Sequence, residues 1–265
     1  MSTVASPPSF IRQFQIIPIV SVAGIAIAWQ ALALSGYFGS ALPSPVAVII
    51  QFIQMIREPI SGVSLLGHVW ASMFRVLSAF FIAVVIGIPL GLFMGWSKKV
   101  EAIVKPIFEI FRPIPPIAWI PLAILWFGIE ETPKVFICLI GAFVPVVMNA
   151  YTGIRFTDPL LLEAARTLGA SRRQQFLEVA MPAALPAVFA GLQNGLSLSW
   201  MCVLAAELVG AQEGVGYLII VGMNMGNPSM IISGMLIIGA VGATIATGLR
   251  LAERRLLPWK REIAQ

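Results

Sequence analysis

Six long stretches of this sequence, 16–34, 71–96, 103–127, 135–151, 183–209 and 230–251, are dominated by apolar side chains. Of the chain's 12 acidic residues they hold only Glu109 and Glu207. A bilayer core is about 30 Å thick and takes about 20 residues of helix to cross. Lipid offers backbone groups no hydrogen-bond partner, so a spanning segment must satisfy them internally, as a helix does. The fold expected is therefore an all-α membrane protein with six transmembrane helices. Composition agrees: 58% of the residues are hydrophobic and 11% charged, where a soluble domain carries about 25% charged residues. A disordered chain is excluded on the same ground.

Stretch 16–34 has a competing reading as a secretory signal, because Ala31-Leu32-Ala33 resembles a cleavage site. A retained helix is preferred: the run is long for a signal core, and Arg12 alone supplies a basic start. Residues 1–9 read as a flexible tail, and residues 10–265 as one transmembrane domain. Of 17 Lys and Arg, 13 fall on the cytoplasmic side if both termini are cytoplasmic. Arg57 and Lys134 then fall outside, and Arg75 and Arg112 lie within spans. Lys and Arg accumulate on the cytoplasmic side of membrane proteins. Topology thus accounts for the formal net charge of +5, and no nucleic-acid partner is expected.

Cys138 and Cys202 both lie in apolar stretches and read as small fillers, which excludes a disulfide scaffold and a zinc ribbon. His68 is the one histidine, so no multi-histidine metal centre, HExxH site or Ser-His-Asp triad is expected. The chain has no GxxxxGK[ST] phosphate loop, so ATP hydrolysis by that route must come from another chain.

Residues 155–182 form a polar island, with seven charges in 28 positions. Asp158 is placed to cap a helix that starts at Pro159 and runs to Leu168, with Leu161, Ala165 and Leu168 on one face. Gly169 follows where a left-handed stop is wanted. Ser171 and Gln174 have the spacing of a capping box. A second helix is expected to run to Met181 and end at Pro182. This helix, glycine turn and helix is either an ordinary loop or a docking element for a soluble partner.

The spacing Glu163-Ala164-Ala165, Gly169, Val179-Ala180-Met181-Pro182 resembles the EAA motif of ABC importer permeases. Val179 and Met181 stand where that motif has Ile and Leu. Three more stretches resemble the branch that imports taurine, alkanesulfonates, nitrate and bicarbonate. They are Leu42-Pro43-Ser44-Pro45, the run Arg112 through Leu122 with its four prolines, and Trp126-Phe127-Gly128. The ending Arg254-Arg255-Leu256-Leu257-Pro258-Trp259 is most similar to taurine permeases. The resemblance implies the type I importer permease fold with a cytoplasmic helix-turn-helix coupling segment over 155–182. Glu163, Ala164, Ala165, Gly169, Ser171 and Pro182 would then contact an ATPase. It further implies a homodimer in a bacterial inner membrane, two ATPase subunits that hold ATP and magnesium, and a periplasmic solute-binding protein. This chain itself would hold no cofactor and no metal, and its cargo would be a small anion, taurine or another sulfonate first, with nitrate, bicarbonate or an aromatic anion left open.

Within the membrane, Pro113, Pro115, Pro116 and Pro121 must break or kink the third span, which suits a segment against water or protein. Arg112, Pro115, Pro116, Trp119, Asn194 and Ser197 are the translocation-pathway candidates, with Glu109 as a possible partner of Arg112. Arg75 and Glu207 lie near the outer ends of their spans. A lone charge there is costly, so they are expected to form a buried pair. Gly87, Gly91 and Gly95, and Gly191 with Gly195, form small stripes for close helix packing. Two rivals remain at this level. An ion-gradient-driven secondary transporter would not need the island. A membrane-embedded enzyme would need a catalytic constellation, and none stands out.

Overall fold

The computed structural model describes residues 10–257. The tail expected over 1–9 and the charges Lys260 and Arg261 lie outside the described residues. α1 spans Phe10–Leu34, and Trp29 donates its indole N–H to Pro43 O at 3.0 Å. α2 spans Pro45–Arg57, with Ser44 accepting from Ala47 N at its start and proline in the first turn. It buries Val48 and Met55, seven residues apart on one face, as an interfacial amphipathic helix does. α3 spans Leu65–Trp96, capped by Ser64.

α4 (Lys98–Phe111), a 3-10 turn (Pro116–Trp119) and α5 (Ile120–Phe127) follow. The expected single span over 103–127 is thus two helices bent by 81°. The cause is local. Pro113, Pro115 and Pro116 supply no backbone donor, and the residue before a proline avoids helical angles. α6 spans Glu131–Arg155, α7 spans Pro159–Thr167, and α8 is the single turn Arg172–Gln174. A π turn (Gln175–Ala180) leads into α9, Met181–Gly210. α10 (Val215–Asn224) and α11 (Pro228–Leu256) complete the described chain. At ten residues α10 is too short to cross a bilayer and had no counterpart among the six expected spans.

Helix therefore does not stop at Pro182, contrary to the sequence expectation. Met181 N–H bonds to Phe176 O, five residues back. The widened turn shifts the hydrogen-bond register just where the proline ring would clash with the carbonyl four residues before it. Helix continues from Arg172 to Gly210, 39 residues in all. Among the described residues, four helices are long and apolar enough to cross a membrane, and the bent pair makes a fifth.

α6 is sandwiched between α3 and α9. A Cβ on Gly91 would run into Val147 O, and one on Gly195 would lie 2.9 Å from Ala142 O. The glycine stripes let both neighbours lie backbone against backbone on α6. Cys138 and Cys202 are buried within this packing, in apolar clusters with Val76 and Val203, and with Ile137 and Ala206, respectively.

Candidate functional site

The polar residues gather at the two ends of the α3–α6–α9 core. At one end lies the turned segment. Asp158 Oδ1 accepts from Leu160 N at 2.9 Å, and Pro159 opens α7. At the far end of α7, Gly169 has φ +81°. Its N–H bonds to Arg166 O and that of Ala170 to Ala165 O, both at 3.0 Å. This pair of bonds is the Schellman stop, which needs a left-handed residue after the cap. Ser171 and Gln174 then cap α8 reciprocally. Gln175 Nε2 donates to Ala170 O at 2.8 Å and ties the turn to the π segment. Phe176 packs on Phe93 and Trp96 of α3, with ring centroids 5.9 and 5.3 Å apart.

The segment is thus fixed to the core by one side and bare on the other. Glu163, Ala164, Gly169, Ser171 and Pro182 are exposed, and Ala165 is half-buried. Around them Phe156, Leu160 and Leu168 are 81%, 71% and 88% exposed. Apolar side chains this bare at a helix–turn, rimmed by charge, mark a surface that another protein or the bilayer covers.

The other end, where α6 begins and α9 ends, holds Arg75. Its guanidinium is 1% exposed. Nη1 donates to Glu207 Oε1 at 2.7 Å, joining the two residues expected to pair. The pair is not isolated, as the sequence had implied. Nε and Nη2 meet both carboxylate oxygens of Glu131, and Nη1 also donates to Glu213 O at 2.9 Å. Glu131 in turn accepts from Lys134 Nζ at 2.8 Å.

The Glu207 carboxylate takes Ser72 Oγ–H at 2.7 Å and Gly216 N–H at 2.8 Å. Val215 N–H donates to Ser72 Oγ. Three donors thus reach the two oxygens of this buried carboxylate, two on Oε1 and one on Oε2, which offsets much of its desolvation. Gly214, at φ +124°, crosses directly over that carboxylate, and a Cβ there would overlap it. Gly214 N–H donates to His68 Nδ1 at 3.1 Å. The ring proton therefore lies on Nε2, which donates to Ile60 O. This clasp holds α3, α6, α9 and the start of α10 together.

The pathway candidates fall into two separate groups. Pro115 and Pro116 open the 3-10 turn, and Trp119 packs against Phe111 at 6.0 Å between ring centroids. Arg112 caps the end of α4, forms no ion pair with Glu109 among the described residues, and is exposed. Asn194 and Ser197 line a hollow of about 330 Å³ between α9 and α11, which none of the proline-segment residues reaches.

A family model described as "Binding-protein-dependent transport system inner membrane component" matches residues 87–262. The taurine transport system permease of Escherichia coli K12 is 36% identical over 84% of this chain and 81% of its own. The nitrate import permease of a Synechocystis strain is 34% identical over 96% and 94%. Among solved structures, an inward-facing methionine ABC transporter matches with a TM-score of 0.61 at 22% identity, over 73% of this chain and 94% of that one. The fold is that of ABC importer permeases. The chain belongs to the family of inner membrane components of binding-protein-dependent transport systems. It is an ABC importer permease of the inner membrane, a transport subunit and not an enzyme.

Proposed function

We propose that this chain is the membrane-spanning half of an ATP-driven importer for a small anion, with taurine or another sulfonate first and nitrate, bicarbonate or an aromatic anion left open. The relatives named for taurine and nitrate support the cargo class. In this reading α1 supplies a sixth span and both termini are cytoplasmic. Two copies enclose the pathway, two ATPase subunits hold ATP and magnesium below, and a solute-binding protein delivers cargo above.

The observation that carries the mechanism is the turned segment. It is rigid toward the core through the Schellman stop, capping box and Phe176 contacts, and bare toward the far side. Glu163, Ala164 and the exposed leucines form the face for an ATPase groove, and ATP-driven closure of that partner would tilt the segment and the helices attached to it. Arg112, Pro115, Pro116 and Trp119 border the pathway where the span is broken, while Asn194 and Ser197, in the separate hollow between α9 and α11, are the second candidate lining.

The test is uptake into proteoliposomes by this chain co-expressed with its ATPase and binding protein. Labelled taurine or nitrate should accumulate only with ATP and all three components. Accumulation by this chain alone under an ion gradient would overturn the reading. Cysteines placed singly at Ile114, Ile117, Ala118 and Ile120, in a chain lacking Cys138 and Cys202, should react unequally with water-soluble thiol reagents. Their pattern should change with ATP; uniform protection in every state would remove the segment from the pathway.

A further inference from the structure

Between the ends of α3 and α6 and the inner side of α7 lies a hollow of about 580 Å³. Lys98, Arg155, Arg166 and Arg172 line it, and no acidic side chain does. None of the four carries an ion pair among the described residues. Glu101 and Glu109 line an adjoining hollow that Lys98 and Arg155 share, so two of the four cations have acidic groups nearby without forming an ion pair with them. Glu101 accepts from Tyr151 Oη at 2.6 Å and pairs with Lys105 at 3.7 Å, and Asp158 caps α7. Topology explains why cations lie at this end of the bundle. It does not explain why four, drawn from four elements, line one hollow, although all four are exposed and water weakens their repulsion.

We infer that this hollow is a binding site for a phosphate-ester anion, most simply the headgroup of an anionic membrane lipid. Three observations set the ligand class. Arginines supply three of the four cations, and the planar fork of a guanidinium matches phosphate oxygens two at a time. The rest of the wall is partly apolar, with Trp96 and Leu162, and the indole N–H of Trp96 donates to nothing among the described residues. The hollow also lies where α3 ends at Trp96 and α6 at Arg155. That is the level at which apolar surface gives way to charge, and basic pockets there suit lipid headgroups.

The ATPase is not the occupant. Along α7 the lining residues Pro159, Leu162 and Arg166 follow a three-then-four spacing and share one face. At about 100° per residue, Leu160, Leu161, Ala164 and Leu168 point to the opposite side and make the proposed ATPase face, with Glu163 at the border between the two faces. A bound phosphate would join the ends of two membrane helices to both arms of the turned segment, bracing it without blocking it.

The inference uses the proposed orientation only to name the leaflet. Its test needs no transport, so its failure would leave the importer reading standing. The full-length chain in neutral detergent is titrated with dihexanoyl phosphatidylglycerol, with the phosphatidylcholine of the same chains and with inorganic phosphate. Tryptophan fluorescence is followed, and unfolding midpoints confirm that each variant is folded. Phosphatidylglycerol should bind saturably, and the pair Arg155→Gln with Arg172→Gln should weaken it at least tenfold. The pair Lys99→Gln with Arg173→Gln removes the same charge from residues that do not line the hollow, and should change binding less than twofold. The single Arg172→Gln serves if the first pair does not fold. Phosphate binding with the same dependence, and no response to lipid, would assign the site to a soluble phosphate. Equal binding of phosphatidylcholine, or equal loss in both pairs, would overturn the inference.

Discussion

Arg75 is the residue on which the upper end of the molecule turns. It faces Glu207, Glu131 and Glu213 from within the bundle. Removing it leaves the fully buried Glu207 carboxylate without a countercharge. Such a loss costs about 3–5 kcal/mol. Glu131 has a side chain 57% exposed, so water replaces much of what Glu131→Gln removes, at a cost of about 1 kcal/mol or less. Thermal unfolding midpoints in one detergent should therefore fall far more for Arg75→Gln than for Glu131→Gln. Equal falls would mean that the Arg75–Glu207 contact is not the buried core of the clasp. The pair was legible because charges are rare in apolar runs and each needed a partner. Ser72, His68, Gly214 and Glu131 were not. They meet across separations such as the 146 residues between His68 and Gly214, and no local pattern encodes that meeting. The one hint was the Glu-rich composition of the loops at that end.

At the scale of the element, the turned segment was the most legible part of the chain, because caps and glycine stops are local. Asp158, Pro159, Gly169, Ser171 and Gln174 occupy the positions that their spacing indicated. The proline at 182 misled for an equally physical reason. A helix can carry a proline when it gives up the bond to the carbonyl four residues back, as at Pro89, Pro145 and Pro186, and at Pro182 the π turn shifts that register. The long apolar spans were legible from hydropathy, whereas the 81° bend and the short α10 depend on packing and turn geometry. Gly169 tests the segment. A β-branched side chain at φ +81° is strained by about 1–2 kcal/mol, while no atom lies within 4 Å of where a Cβ would sit. The defect is thus conformational and not steric crowding. Gly169→Val should leave the chain in the membrane, lower retention of the ATPase on purification and abolish uptake. Gly169→Asn should retain much of both, since asparagine tolerates left-handed angles. Equal loss in both variants would assign the defect to something other than backbone angle.

Across the whole molecule, the turned segment and the clasp are joined by one element. Helix runs unbroken from Arg172 to Gly210, and its α9 part alone, 30 residues, is about 45 Å long at 1.5 Å per residue. α9 lies against α6 through Gly191 and Gly195, so close that it can tilt only together with α6 or by slipping along it. Glu207, three residues from the end of α9, holds Arg75 of α3 and the N–H of Gly216 at the start of α10. A tilt imposed at Arg172 must therefore either carry the clasp as a body or break its contacts to α3. The partly exposed Glu131 contact is the weakest member and the first expected to part. Spin labels at Glu130 and Gln212, both exposed beside the clasp, report that choice. In the assembled importer their separation should change between nucleotide-free and ATP-bound states. In the Gly169→Val chain, where the segment no longer seats on the ATPase, it should stay at the nucleotide-free value. A full shift in that variant would show that motion reaches the clasp by a route other than the turned segment and α9. No shift in the unaltered chain would make the clasp a static anchor, leaving the pathway to open elsewhere, first at the bend between α4 and α5.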